Sequence, residues 1–339
     1  MIVERPPVGR GSDFARLSER IKKAGLLDRR PGYYTLRIGL VVAAYAGAWA
    51  AFGLLGDSWW QLAVAAALAV IFAQVALVAH DLAHRQVFAA RRPSEIAGLL
   101  AGNLGIGMSY GWWMDKHTRH HANPNHEDHD PDVSPEILIW STDQARSATG
   151  AARIIGRHQA YLFFPLLLLE GLNLHVSSGR ALRRRELRHR GAEIALFTIH
   201  VLGYLGVVFA MLPVGKALAF IAIHQGLFGL YLGCTFAPNH KGMPMATDDM
   251  DYLRKQVITS RDVSGGRFVD LMLGGLNHQI EHHLFPNMPT PHLRRAKPIV
   301  RAYCAEIGVP YAESGLIASY RQALTHLHRV GAPLRASRS

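Results

Sequence analysis

Histidine makes up 19 of the 339 residues, and its spacing is where chemistry enters. His80-Asp81-Leu82-Ala83-His84 sets two imidazoles four residues apart, on one face of a helix. His117-Thr118-Arg119-His120-His121 puts three on one face at i, i+3 and i+4. Gln279-Ile280-Glu281-His282-His283 repeats that spacing with Gln in the first place, and His240 stands alone within Ala237-Pro238-Asn239-His240. One such pair arises readily by chance; three spaced groups do not. Imidazole-only sites suit Fe, Zn, Cu or Ni, and His80, His84, His117, His120, His121, His240, His282 and His283 offer more ligands than one four- or six-coordinate ion uses. Two metal ions are implied.

The elements that carry these groups are apolar. Ile38 to Gly56, Ser58 to Ala79, Ile194 to Gly215 and Ala217 to Asn239 are each close to the 20 or so residues that cross a bilayer. Little more than Asp57 separates the first two, and a short Pro213-to-Lys216 connection separates the last two, so they read as two helical hairpins. Ile96 to Met114 is uncharged until its end but rich in Gly, and Ala160 to Leu169 is short and holds Pro165. Both are expected to lie in the interface or dip into it. The expected division is a cytoplasmic segment over 1–34, a membrane domain over 35–290 (spans near 38–56, 58–79, 194–215 and 217–239) and a cytoplasmic tail over 291–339.

Lys plus Arg number 37 against 25 Asp plus Glu, a net charge of +12. Eight of these basic residues precede Tyr34, six lie between Arg180 and Arg190, and eight follow Asn287, whereas the tight turns carry only Lys216. By the positive-inside rule, both termini and the central segment face the cytoplasm. The surplus therefore describes topology and contact with anionic lipid, and nucleic-acid binding is not expected. Each His group then follows an even number of crossings, so all meet on the cytoplasmic side; a lone crossing by either intermediate segment would strand some of them. No cleavable signal peptide is expected, and Cys234 and Cys304 imply no disulfide.

The three boxes, His-Asp-Leu-Ala-His, His-Thr-Arg-His-His and Gln-Ile-Glu-His-His, resemble those of the integral-membrane fatty acid desaturases. The continuations His121-Ala122-Asn123-Pro124-Asn125 and His283-Leu284-Phe285-Pro286 are similar to the branch with Gln in the third box, which includes front-end desaturases. The resemblance runs from the first span to about Pro291. It implies an all-α integral membrane protein, with four transmembrane helices in two hairpins and a cytoplasmic helical cap carrying a His-rich di-iron site. It also implies O2-dependent removal of two hydrogens from adjacent methylenes of a fatty acyl chain, with the eight histidines named above as iron ligands. Unactivated C–H bonds resist acid and base, which agrees with a redox metal and oxygen doing the work.

Gln279 stands where many relatives have His, and either ligates or hydrogen-bonds a water on the metal. Asp81 and Glu281, next to ligands, are candidate acceptors that orient an imidazole N–H, and Asn239 has similar standing. Some front-end relatives carry a fused cytochrome b5 domain with a His-Pro-Gly-Gly haem motif, which this sequence does not contain. Electrons are therefore expected from a separate ferredoxin or cytochrome b5-type protein and its reductase, docking on the basic surface around Arg184 and Arg185.

Two rival readings share features with this one. An acyl or lipid hydroxylase has the same iron chemistry, and a His-rich metal transporter would also be polytopic, although transport sites lie near the bilayer midplane in interrupted helices. A soluble carboxylate di-iron site needs two Glu-x-x-His motifs on separate helices, and only Glu186-Leu187-Arg188-His189 fits. His200 and His224, inside spans, are expected to make helix–helix hydrogen bonds. His126 and His129 fall in an acidic loop expected to be solvated or partner-bound. His278 lies outside the box spacing, and His158, His175, His189, His292, His326 and His328 are read as surface or interfacial. Trp59, Trp60, Trp112 and Trp113 suit interfacial belts.

Overall fold

The computed structural model describes residues 12–336; the first eleven residues of the expected N-terminal segment and the last three of the tail lie outside that range. Four helices are long and apolar enough to cross a membrane: Pro31–Leu55, Gln61–Ala83, Arg190–Met211 and Val214–His240, hereafter the first to fourth spans. They run past the expected boundaries chiefly at the box-bearing ends. Polar residues such as Arg37 and Asp81 are tolerated there because they are buried against each other rather than exposed to lipid.

Local chemistry sets the span ends. Pro31 occupies the first turn of the first span, where its missing N–H costs nothing. Gly56, at φ +54°, ends that helix, and the Gln61 amide donates to the Phe52 and Gly56 carbonyls at 2.7 and 2.9 Å, fixing the reversal. Lys216, in the first turn of the fourth span, reaches Asp57 at 2.6 Å, so the two inter-span connections meet at one end of the molecule.

The second and fourth spans form the centre. Of their most apolar stretches 56% and 44% of residues are buried, against 6% and 11% for the first and third. Phe72, Phe52, Phe220 and Phe228 fill the contact, with Val208 from the third span. The third span rests mainly on a π-helical turn, Leu100–Gly105, that continues helix Arg91–Leu99. Helices Gln159–Leu167 and Glu170–Leu182 form a pair bent by 73°. A Cβ on Gly229 would lie 2.4 Å from the Gly171 nitrogen, so the bend presses directly on the fourth span.

At the box-bearing end a second core joins the N-terminal helix Asp13–Lys23 (Leu17, Ile21) to Ile280, Leu284, Leu293 and Tyr303. Here the fold departs from all-α: Asp262–Ser264 pairs in parallel with Glu313–Gly315. Parallel strands need a long crossover, and this one contains the third His box and helix Thr290–Glu306. Both cysteines are free.

Candidate metal centre

Each box is held by a different element. His80 lies in the last turn of the second span and His84 caps it. Helix Tyr110–Ala122 carries the second box and starts at Ser109, whose hydroxyl accepts from the Trp112 N–H. Glu193 of the third span, buried, secures that start: its carboxylate accepts from Ser109 Oγ (2.6 Å), the Gly111 N–H (3.2 Å) and Asn103 Nδ2 (3.2 Å). A carboxylate suits the positive end of a helix. The third box is the short helix Gln279–Leu284, buried throughout, and His240 ends the fourth span two residues after Pro238, which lies inside the helix. Arg261, 1% exposed, meets carbonyls that the end of this helix leaves open, donating to Pro238 (2.9 Å) and Lys241 (3.0 Å), while the Tyr320 hydroxyl donates to the Cys234 carbonyl that Pro238 has no N–H to meet.

These elements bring the eight histidines into two adjoining groups. His80, His84, His117, His121 and His282 converge in one, and His120, His240 and His283 in the other. Ring nitrogens face one another closely: His84 Nε2 to His117 Nε2 is 2.8 Å, His121 Nε2 to His117 Nε2 is 3.1 Å, His282 Nε2 to His121 Nε2 is 3.2 Å and His240 Nε2 to His283 Nε2 is 3.1 Å. Two imidazoles bound at right angles to one first-row ion at about 2.0–2.1 Å place their nitrogens about 3 Å apart. Both nitrogens of His80 are buried without a partner, a cost that a cation in the group would remove for the nitrogen it takes. Burial first, then neighbouring imidazoles, holds His117, His121, His282 and His283 well below the ordinary histidine range. These four rings are thus held in the neutral form that ligation requires. The donor set fits two first-row metal ions.

The two groups are supported differently. In the three-histidine group every Nδ1–H has an acceptor: Asp130 Oδ2 for His120 (2.9 Å), the Thr259 carbonyl for His240 (3.0 Å) and Gln256 Oε1 for His283 (2.9 Å). Each Nε2 is thereby left facing inward. The five-histidine group relies on packing; Trp113 stacks on His117 at 4.5 Å between ring centres. Gln279 sits in the three-histidine group, its Nε2 2.9 Å from His240 Nε2, and Asn239 Nδ2 donates to its Oε1 at 3.2 Å.

Several expectations are corrected. Asp81 does not orient an imidazole: it is taken by the buried Arg37 guanidinium at 2.7 Å, a stronger partner, with His80 Nδ1 3.6 Å away. Glu281 points away from the boxes and accepts from Tyr311 at 2.8 Å. Trp112 and Trp113 pack on the core rather than forming a belt, whereas Trp59 and Trp60 are exposed. His292 is buried and donates to the Leu26 carbonyl at 2.8 Å. His278 is also buried, with Nε2 3.2 Å from Asp270. His126 is buried and stacks on His129 at 4.4 Å. Within the spans, by contrast, the expected helix–helix hydrogen bonds are present: His224 bonds Tyr204 at 2.9 Å and His200 donates to the Leu104 carbonyl at 2.8 Å.

The acceptors Asp130, Gln256 and Thr259 were not expected from sequence. Only Asp130 left a trace, as a carboxylate in the loop directly after the second box, and that loop read as solvated.

Comparison with known proteins agrees with this geometry. The fatty acid desaturase family matches residues 57–315. The acyl-lipid (9-3)-desaturase of Physcomitrium patens is 30% identical over 94% of this chain and 62% of its own length. The Delta(8)-fatty-acid desaturase 2 of Arabidopsis thaliana is 29% identical over 88% of this chain and 70% of its own, and the fatty acid desaturase 3 of Bos taurus 28% over 94% and 73%. The chain thus spans about three-fifths of the first relative's length and about seven-tenths of the other two. With its boxes, its candidate spans and its two imidazole groups, the chain belongs to the fatty acid desaturase family.

Proposed function

We propose that the chain is a membrane fatty acyl desaturase that uses O2 and two electrons to introduce a carbon–carbon double bond into an acyl chain. The observation that carries the reading is the convergence of eight histidines, five buried and three half-buried, from three boxes and His240, into two adjoining all-nitrogen groups. Two iron ions are proposed for these groups, and when bound they supply the oxidising power to take hydrogens from neighbouring methylenes.

The residues have separable tasks. His80, His84, His117, His121 and His282 would hold one ion and His120, His240 and His283 the other. Asp130, Gln256 and the Thr259 carbonyl fix three rings in the tautomer that presents Nε2. Asn239 holds Gln279 against the second group, where its amide ligates or positions a water. Burial of the three-histidine group and of His80 and His282 keeps bulk water from that part of the cluster, which protects a reactive site from side reactions.

The orientation is part of the proposal: two hairpins, a cytoplasmic helical cap formed with the 291–339 tail, and both termini cytoplasmic, with 35–290 as the membrane domain. Electrons are proposed to come from a separate ferredoxin or cytochrome b5-type carrier and its reductase. No nucleic-acid partner is proposed.

Fatty-acid profiling of a host expressing the chain, with double bonds located by mass spectrometry, tests the reading. A new double bond is expected, with about two iron ions per purified chain. His120→Ala and His283→Ala should lose metal and turnover together. An oxygenated acyl product would replace desaturation by hydroxylation. Absence of iron, with activity surviving both substitutions, would remove the enzyme reading altogether.

A further inference from the structure

On the side of the third box away from the histidine groups lies another cluster of ligand-type side chains, which the proposed reaction does not use. Asp262 comes from the short strand Asp262–Ser264, His278 directly precedes helix Gln279–Leu284, and Glu281 lies inside that helix. Each offers one ligand atom within 4.8 Å of the other two, and none belongs to either histidine group. All three are buried, at most 4% exposed. Polar groups buried this deeply need partners, and charged ones need an opposite charge.

His278 is oriented as a metal ligand is. Its Nε2 faces Asp270 Oδ1 at 3.2 Å, so a neutral ring donates there and keeps its lone pair on Nδ1. That Nδ1 is buried without a hydrogen-bond partner and faces Asp262 Oδ2 at 3.7 Å. A lone pair aimed at a carboxylate is repelled by it, whereas a carboxylate behind an imidazole whose other nitrogen holds a cation is a recurring arrangement. The two acids have the same need. The Tyr311 hydroxyl lies 2.7 Å from Asp262 Oδ2 and 2.8 Å from Glu281 Oε1, and its one proton serves one of them at a time. Glu281 Oε2 is buried with no partner. Lys297 stands 3.5 Å from Asp262 but gives its short contact, 2.7 Å, to Glu313.

We infer that Asp262, His278 and Glu281 bind a further divalent metal ion, zinc, whose role is structural. Mg2+ and Ca2+ take oxygen ligands, while Zn2+ takes carboxylate oxygen and imidazole nitrogen together. The negative charges of Asp262 and Glu281 balance those of the ion, and the orphaned atoms of His278 and Glu281 become ligands. The ion ties the strand to the third-box helix, which at six residues is too short to hold its shape alone. The site stands whichever reaction the histidine groups carry out.

The test uses the purified, iron-loaded full chain in detergent. Zn2+ alone is added, the excess is removed, and zinc and iron are counted by plasma mass spectrometry. About one zinc per chain is expected beyond the iron. Asp262→Asn keeps the shape and an acceptor for the Ile280 N–H, now 3.1 Å from Asp262 Oδ1, and should lose the zinc while retaining iron, as should His278→Gln. Asp270→Asn, which weakens the acceptor behind His278, should lower zinc affinity about 10- to 100-fold. His283→Ala should do the reverse, losing iron and keeping zinc. In crystals of the natural chain, anomalous diffraction at the zinc edge should place a peak among Asp262, His278 and Glu281, a result that does not depend on any variant folding. No zinc at that position overturns the inference and leaves His278 as a protonated bridge between Asp262 and Asp270. Zinc that survives Asp262→Asn and leaves with the iron in His283→Ala overturns it too, by placing the ion in the histidine groups.

Discussion

At the scale of single residues, the two imidazole groups differ in what holds them. His120 depends on one carboxylate oxygen, Asp130 Oδ2, which also accepts the Asn125 N–H at 2.8 Å. Asp130→Asn keeps the shape but replaces a full charge with a weaker acceptor. Loss of such a partner lowers metal affinity by about 10- to 100-fold, so the variant is expected to lose the metal of the three-histidine group first. Titration with a chelator, followed by iron content, reads this directly: equal loss of both metals would mean that Asp130 acts on folding rather than on His120. Gln279→His gives a complementary expectation. An imidazole beside His240 adds a nitrogen donor to a group of three, and the same titration should show that metal leaving at higher chelator concentration than in the natural chain. The boxes themselves were legible because i, i+3 and i+4 spacing is a helical fact that needs no tertiary knowledge. The acceptors were not, since Gln256 and Thr259 lie more than a hundred residues from the second box and meet it only after folding. Asp81 misled because proximity in sequence to His80 said nothing of Arg37, 44 residues away.

At the scale of elements, the question is what keeps the box-bearing helices in register. The second-box helix starts on a buried carboxylate from another span, and Gly111 is the residue that lets it approach: a Cβ there would sit 2.4 Å from Glu193 Oε1. Gly111→Ala pushes the carboxylate away, and Glu193→Ala removes it; both leave Ser109, Asn103 and the Gly111 N–H short of an acceptor. Each buried unmet donor costs about 1–3 kcal/mol. Both variants should therefore unfold at lower temperature in detergent and bind less iron, and Glu193→Gln should recover part of the loss by keeping one acceptor oxygen. Arg261 does the equivalent for the fourth span, with burial pushing its guanidinium down to about 10. Arg261→Met fills similar space but strands the Pro238 and Lys241 carbonyls, and a lower unfolding temperature is expected from the same rule. The spans could be read from uncharged length to within four residues at every end but one, the first span starting seven residues earlier than expected. The Gly-rich stretch after Ile96 could be read as irregular, but not as a π-helical turn, because that shape is set by the Tyr45 hydroxyl donating to the Gly105 carbonyl and by His200 donating to Leu104.

At the scale of the whole molecule, the metal geometry restricts how the chain can cross a membrane. The bent pair Gln159–Leu167 and Glu170–Leu182 is apolar enough that it could be counted as a fifth crossing. A fifth crossing between the second and third boxes would put the third box on the far side from the first two, yet His282 Nε2 lies 3.2 Å from His121 Nε2. The pair must therefore return to the side it came from. Its corner meets the fourth span at Gln225 to Gly229, and Gly229 is about 16 Å along the helix from His240 at 1.5 Å per residue. That depth is about half of a bilayer core, which supports the proposed topology, in which the pair dips and turns back. Single cysteines test the resulting topology. Lys22→Cys and Arg321→Cys, at exposed positions of the box-bearing end, should react with a membrane-impermeant maleimide only from the cytoplasmic side, and Asp57→Cys, at the opposite turn, only from the other. Reaction of Lys22→Cys and Arg321→Cys from opposite sides would mean an odd number of crossings, and with it a chain that could not bring its own histidines together.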